Sequence, residues 1–390
     1  MSGDYSARLV QRLTNLRDGL EPGMDRREFL RTVVSGGYVL GVASYLGVED
    51  FLSADEGEVP IVTALVRSDP DDPFSLEERT RDVPAEWYAA VTKALEINEY
   101  LATVGMTGYL GSAVVPGSYS SQTASVSVGI SSEGRSTREM IEEIADGISI
   151  NAETIVEVEE MEDGPPSTQP RVATNVDSGV APSGVVCETP SSMATLAPAL
   201  YDPNTEQSYF VTAEHAFEGV SDPVGEPLVL PIDSAEPAQL GAVEYAYPVE
   251  DVAVVTPNGD LEPSSTIDTP SSARVRGQYT RLGLADLVAR DEYLEKVGAL
   301  TGHTTGRIQG IDAVTCFTDT FCRRGQIRWG GEMDLTDGDS GSVSFHEDPQ
   351  GAADDVLVAG FNNARTWWPG QSYVWGIGAY KLTETHGYHF

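Results

Sequence analysis

Asp337-Gly338-Asp339-Ser340-Gly341-Ser342 sets a small hydroxyl residue directly after an acidic one and between glycines. Glycine lets the backbone turn tightly at such a place, and a buried charge or donor can draw an acidic neighbour such as Asp339 inward. The stretch reads as a turn that presents a nucleophile. Acidic, Gly-rich and Ser-rich loops also arise by chance in a chain this rich in Asp and Glu, so its weight comes from the residues upstream. Val211-Thr212-Ala213-Glu214-His215-Ala216 is an apolar run that ends in a histidine, and Asp251-Val252-Ala253-Val254-Val255 is an aspartate that opens a β-branched run. Taken singly, a histidine after an apolar strand is usually a core or edge residue, and an aspartate before a strand is usually a turn former. Taken together, the chain order is histidine, aspartate, serine, which is one of the known orders of a nucleophilic triad.

At these residues the chain resembles the trypsin-like, chymotrypsin-fold serine peptidases, whose signatures read roughly T-A-A-H, D-I-A-L and G-D-S-G-G. Lys296-Val297-Gly298 with Leu300-Thr301-Gly302 and Thr305-Gly306-Arg307-Ile308 resembles a lysine-glycine, threonine-glycine strand pair found in bacterial members. The resemblance runs from about Ser183 to the C-terminus. It implies an all-β two-barrel domain, a polypeptide substrate, and neither a metal nor an organic cofactor. Ser340 would be the nucleophile, His215 the group that takes and returns its proton, and Asp251 the group that orients the histidine. The backbone amides of Gly338 and Ser340 would form the oxyanion hole. Asp334, six residues before Ser340, falls where the base of the primary specificity pocket is expected, with Asp337 as a second candidate. Gly360, Phe361 and Asn362 would form the strand along the pocket wall, while Trp367 and Trp368 would shape the cleft or cap the barrel. Glu214 replaces a small residue beside the histidine, Ser342 replaces a glycine, and Ala216 stands where vertebrate members carry a half-cystine. None of these departures removes a catalytic group.

Composition sets the environment. The chain has 390 residues with a formal net charge of -37, and Lys93, Lys296 and Lys381 are its lysines. Acidic residues run along the whole length among ordinary shares of glycine and apolar residues, which is the pattern of a folded protein with an anionic surface. Such a surface suits molar salt, where repulsion is screened within about 3 Å, and the chain is of haloarchaeal type in this respect. A nucleic-acid partner is excluded by the same charge, since the phosphate backbone would be repelled and no basic stripe exists. Cys187, Cys316 and Cys322 are too few for a disulfide scaffold. Cys316 and Cys322 either close a hairpin or are two small buried hydrophobes, and Cys187 reads as a buried thiol.

Three regions follow along the chain. Residues 1–50 form a leader in which Asp25-Arg26-Arg27-Glu28-Phe29-Leu30-Arg31 precedes a Gly-interrupted apolar segment, resembling a twin-arginine export signal. The competing reading is an amphipathic helix with two basic residues. The signal would carry the protein through the twin-arginine export machinery to the cell surface or beyond, and an uncleaved leader would serve as an anchor. Residues 51–165 alternate short strands and helices: a buried strand over Ile61 to Val66, a helix after Pro84 with Trp87, Val91 and Leu95 on one face, strands over Tyr109 to Val115 and Ser125 to Ile130, a capped helix from Ser136, and a strand over Ile155 to Val158. That order fits a small α+β domain, ferredoxin-like or pro-domain-like, either assisting the peptidase or serving as a packing module. After Gly164-Pro165-Pro166-Ser167, residues 166–390 carry many short strands spaced by Gly, Pro and Asp turns, interrupted by one helix over Leu282 to Leu294. Oligomeric state is not legible in these patterns.

The function that follows is serine endopeptidase. Two other classes share the same motifs: a peptidase-fold binding protein without turnover, and an esterase that applies the triad to an acyl ester.

Overall fold

The computed structural model describes residues 57–103, 108–131, 141, 148–155, 169–174, 176, 179–220, 222–318, 321–368 and 371–390. The leader, most of the helix expected from Ser136 and the Gly164–Ser167 linker lie outside them.

The first module grows from two buried patterns. Strand β1 (Glu58–Arg67) buries Val59, Ile61, Val62, Ala64 and Val66. It pairs antiparallel with β2 (Leu76–Pro84), from Glu58↔Pro84 to Arg67↔Leu76. Helix α1 (Ala85–Thr103) starts directly after Pro84 and buries Trp87, Val91, Ala94 and Leu101, all with 0% exposure, at helical spacing. Trp87 satisfies its ring nitrogen by donating to the Gly117 carbonyl at 2.8 Å. Strands β3 (Tyr109–Pro116) and β4 (Ala124–Ser131) form a hairpin, and β5 (Ser149–Ile155) lies parallel to β4. The strand expected over Ile155 to Val158 lies outside the described residues beyond Ile155, where β5 ends. Strand β2 was not expected. Its sequence, LEERTRDVP, buries Val83 alone, so no apolar period marks it.

Strand β6 (Val180–Ser183) leads into the first barrel. There β7 (Val186–Glu188), β8 (Met193–Thr195), β9 (Leu200–Asp202), β10 (Gln207–Ala213), β11 (Pro227–Leu230), β12 (Ala238–Tyr247) and β13 (Val252–Pro257) form a 7-stranded sheet in the order β8-β7-β11-β12-β13-β10-β9. The Ala197 amide, just past β8, donates to the Val211 carbonyl of β10 at 3.0 Å and draws the two sides of the sheet together. Val252, Ala253, Val254 and Val255 all have 0% exposure, which a strand achieves only when both faces are covered.

Strands β14 (Glu262–Ile267) and β15 (Ala273–Tyr279) and helix α2 (Arg281–Ala289) connect the barrels. Thr280 caps α2 by accepting from the Gly283 amide at 3.0 Å. The helix is shorter than the expected Leu282 to Leu294. Asp291 takes a φ of 63°, which ends it, and Leu294 belongs to the next strand.

The second barrel comprises β16 (Tyr293–Gly298), β17 (Gly302–Thr318), β18 (Phe321–Trp329), β19 (Val343–Glu347), β20 (Asp355–Trp368) and β21 (Gln371–Gly378). Pairing runs β16-β17-β18-β21-β20-β19 and returns to β16, so the ring closes. Val297, Phe345, Val358, Phe361 and Ile377 of this barrel share one buried cluster with Val211, Ala213, Val252 and Val254 of the first. Helix α3 (Ala379–His386) follows it. The expected all-β two-barrel domain preceded by a small α+β segment is the architecture the chain adopts. The first module shares sheet with the second barrel: β1 pairs β15, β15 runs parallel to β20, and β3 pairs the outer part of β17 through Ile311↔Val114 and Thr315↔Gly111.

Candidate active site

Strands β10 and β13 are antiparallel with Ala213 opposite Val252. That register sets the residues just beyond Ala213 against the residue just before Val252. His215 lies in a 3-10 turn over Glu214–Phe217, and Asp251 closes the preceding corner with a φ of 60°. The left-handed backbone at Asp251 is unusual for a residue with a side chain. Here both carboxylate oxygens are used. Oδ1 accepts the His215 backbone amide at 2.9 Å, and Oδ2 meets His215 Nδ1 at 2.8 Å. An ionised carboxylate only accepts, so Nδ1 carries the proton and Nε2 of the neutral ring is left with its lone pair. Asp251 is fully buried while the His215 side chain is 35% exposed, so the ring turns its other edge outward.

Arg323 completes this cluster. It lies on β18 of the second barrel, and its Nη1 donates to Asp251 Oδ2 at 3.0 Å. Burial opposes ionisation of Asp251, and His215 and Arg323 together hold its carboxyl below the usual range. Burial would lower the His215 pKa, but the hydrogen bond and charge of Asp251 outweigh it and hold the imidazole above its ordinary value. Arg323 acts against that rise. Glu214 sits beside them, and burial with the charge of Asp251 pushes its carboxyl up. Nothing in the linear sequence indicates Arg323, because its contact is made between barrels across 72 residues. The other histidines are engaged elsewhere: His303 with Glu295, His346 with the Tyr293 carbonyl, His386 with Glu250 and His389 with the Pro73 carbonyl.

Ser340 comes from the second barrel on a turn fixed by its neighbour. Asp339 has 0% exposure, and its carboxylate accepts from the amides of Leu300 at 2.8 Å, Thr301 at 3.1 Å and Thr336 at 3.1 Å, and from the Thr301 hydroxyl at 2.7 Å. Lys296 Nζ lies 3.3 Å away, also without exposure. Burial drives the Lys296 pKa down, and the charge of Asp339 opposes it. Gly338 and Gly341 both have a φ of 93°. A Cβ on Gly341 would lie 2.3 Å from the Thr195 carbonyl oxygen and 3.2 Å from the Ala213 amide, so only glycine lets the turn close against the strand end that precedes His215. The Thr195 amide donates to the Ser340 carbonyl at 2.8 Å, and the Gly341 amide donates to the Asn362 carbonyl at 2.8 Å.

The turn is thereby tied to both barrels. Ser340 is 8% exposed. Among the described residues, the amides of Gly338 and Ser340 donate no hydrogen bond, and Ser340 Oγ makes none, including to His215.

The remaining expected residues separate. Asp334 is half-buried and uses its carboxylate to accept the Gly331 amide at 2.7 Å, fixing its own 3-10 turn; burial pushes its pKa up. Asp337 is exposed. Phe361 is fully buried in the second barrel, and Gly360 packs against Ile327 and Ile377. Two buried asparagines follow them. Asn362 bridges the Trp329 ring nitrogen at 3.0 Å and the Ser342 hydroxyl at 3.2 Å, and Asn363 Nδ2 donates to the Glu250 carbonyl at 3.3 Å. Side chains of Trp367 and Trp368 lie outside the described set. Cys316 and Cys322 are joined as a disulfide across β17 and β18, and burial pushes the Cys187 thiol up to about 12. Among the described residues no cluster of His, Cys, Asp or Glu has the makings of a metal site.

No family model matches the chain, and no curated protein matches it. Solved structures similar to it include Thermobifida fusca protease A, with 16% identity, a TM-score of 0.38 and coverage of 53% of this chain and 96% of that one. A glutamic-acid-specific serine protease described as using a histidine triad in substrate binding gives 15% identity, a TM-score of 0.39 and coverage of 54% and 99%. Cellulomonas bogoriensis chymotrypsin gives 13% identity, a TM-score of 0.36 and coverage of 54% and 97%.

Proposed function

We propose that the chain is a serine endopeptidase. The observation that carries this reading is the buried His215–Asp251 pair, which leaves His215 Nε2 unprotonated, while the turn that bears Ser340 and two unused amides closes at Gly341 against the strand end that precedes His215. In the reaction, Nε2 takes the proton of Ser340 Oγ as that oxygen bonds to the carbonyl carbon of a substrate peptide. The carbonyl oxygen gains the negative charge and is met by the amides of Gly338 and Ser340; each such donor contributes about 2.7 to 4 kcal/mol to lowering the barrier. The imidazolium, held by Asp251, then gives its proton to the leaving amine as the C–N bond breaks. Water attacks the acyl-enzyme by the same route in reverse and restores Ser340. A strongly anionic surface and a twin-arginine-like leader support export into a salty medium as the setting.

A second reading has its own observation. Ser340 Oγ and His215 share no hydrogen bond, which fits a peptidase-fold binding protein without turnover as well as a triad that tightens only on substrate. Fluorophosphonate labelling of the protein folded in molar KCl decides between them, with the adduct located by mass spectrometry. Labelling at Ser340 that disappears in Ser340→Ala and His215→Ala establishes an activated nucleophile. A folded protein without labelling supports the binding protein. Turnover of esters without turnover of peptides identifies an esterase.

A further inference from the structure

Asp251 is gripped from two barrels. His215 holds it from the first, while Arg323 reaches it from the β17–β18 hairpin of the second, and both bind the same oxygen, Oδ2. Arg323 Nη2 also approaches the carbonyl of Pro248, in the corner that leads to Asp251, at 3.5 Å. One planar guanidinium thus spans the side chain of Asp251 and the backbone just before it, a geometry that a forked donor serves and a point charge does not. The hairpin is itself fastened one residue away, where Cys316 and Cys322 face each other in register and are bonded.

We propose that Arg323 is a positioning residue of the catalytic site, clamping Asp251 from the opposite barrel so that His215 and Ser340 keep a fixed relation across the interface. The inference rests on the peptidase reading for its catalytic meaning, but the clamp is a physical relation that is measurable without activity. The need for it follows from the division of labour. His215 and Asp251 stand at the end of β10 and the start of β13, whereas Ser340 stands on the second barrel, so any relative shift of the barrels changes the distance that a proton must travel. Arg323 and Ser340 belong to the same barrel. A charge-assisted bond from that barrel to Asp251 therefore couples the carboxylate to the nucleophile's own frame. The left-handed backbone of Asp251, φ 60°, is a conformation that its surroundings must hold in place.

The clamp also has an electrostatic consequence. The groups around the His215 ring are Asp251 opposite it, Glu214 and Glu218 on its own turn, and Arg323 from the hairpin. Arg323 shares the negative charge of Oδ2 with the ring, so it weakens the pull of Asp251 on an imidazolium while keeping the carboxylate ionised. Removal of the guanidinium strengthens the attraction between the ring and Asp251.

The test is the titration of His215 by NMR in the full-length protein labelled with 13C at histidine Cε1, in molar KCl, with His215→Gln to assign the signal among five histidines. Arg323→Gln is expected to raise the titration midpoint of His215 by about one unit and to slow fluorophosphonate labelling at Ser340 at least tenfold at a pH above both midpoints. Arg323→Lys keeps the charge without the fork, so its midpoint stays near that of the unaltered protein while its labelling is still slowed. A midpoint that does not rise in folded Arg323→Gln, or labelling as fast as in the unaltered protein in both variants, overturns the clamp. Should Arg323→Gln fail to fold, the lysine variant alone decides: unslowed labelling overturns the proposal. If the unaltered protein is not labelled at all, the peptidase reading falls, and the midpoint shift still reads whether Arg323 grips Asp251.

Discussion

Lys296 Nζ lies 3.3 Å from Asp339 Oδ2, and neither side chain is exposed. The pair is internal to the second barrel, one partner on β16 and the other directly before Ser340. Breaking a buried pair from one side leaves an uncompensated charge, typically a loss of about 3 to 5 kcal/mol. Lys296→Met is therefore expected to lower the midpoint of unfolding and to abolish labelling of Ser340, because the carboxylate that gathers the amides of Leu300, Thr301 and Thr336 no longer has its counter-ion. Lys296→Arg retains the charge but overfills a closed site, so it should keep part of the stability and less of the labelling. A chemical denaturation series on the three proteins checks this.

The Asp339 carboxylate finds its partners Lys296, Leu300, Thr301 and Thr336 within the second barrel, so the residue that fixes the Ser340 turn is already satisfied in the uncut chain. Full-length protein is expected to be labelled at Ser340 before any peptide bond is cut, which mass spectrometry of the intact labelled chain would register directly. Labelling confined to a shortened form would show that some other event completes the turn.

The pH dependence has a defined sign. His215 must be neutral to accept a proton, and Asp251 holds its pKa above the ordinary imidazole value. Activity is therefore absent at low pH and appears as pH rises through that raised value, so the acid limb lies at higher pH than for a free imidazole. The stability contributed by the His215–Asp251 pair runs the opposite way on this side: it is fully present below the unfolded histidine pKa and is lost as pH rises through the folded one. A pH series of labelling rates beside a pH series of unfolding midpoints separates the two trends.

Gly341 offers a steric test. An alanine Cβ would stand 2.3 Å from the Thr195 carbonyl oxygen at a backbone φ of 93°. Strain of that kind costs about 1 to 3 kcal/mol, and here it acts on the contact between the turn and the first barrel. Gly341→Ala is expected to lose labelling more completely than stability, since the turn can move away from Thr195 while both barrel cores remain. Thermal unfolding compared with labelling rate measures both.

What was legible in the sequence was whatever depends on near neighbours. The β-branched run after Asp251 and the apolar run before His215 indicate two buried strands, and their antiparallel register is what joins the histidine to the aspartate. The glycines around Ser340 indicate a turn, and the turn is there. Features that depend on distant partners left no trace. Arg323 is one arginine among others until the hairpin carries it across to Asp251. Strand β2 has no apolar period because it is held by backbone pairing with β1 and by its arginines, Arg79 on Asp348 and Arg81 on Asp286. Phe361 reads in sequence as part of a pocket wall, and its ring is fully buried in the cluster that joins it to Val252 and Val254 of the first barrel, a contact between strands far apart in the chain.

Salt provides the last prediction. The net charge of -37 is spread over the surface, where repulsion opposes the compact state. At molar ionic strength the screening length falls to about 3 Å, so the unfolding midpoint should climb steeply between low salt and molar KCl. The interactions that form the site behave differently. The Lys296–Asp339 pair is without exposure, Asp251 is fully buried between His215 and Arg323, and buried pairs are screened far less than surface ones. The labelling rate per folded molecule should therefore change little across the salt range in which the folded fraction changes most. Measuring both on the same samples distinguishes a surface that needs salt from a site that does not; a per-molecule rate that follows the salt concentration would place the charge sensitivity at the triad itself.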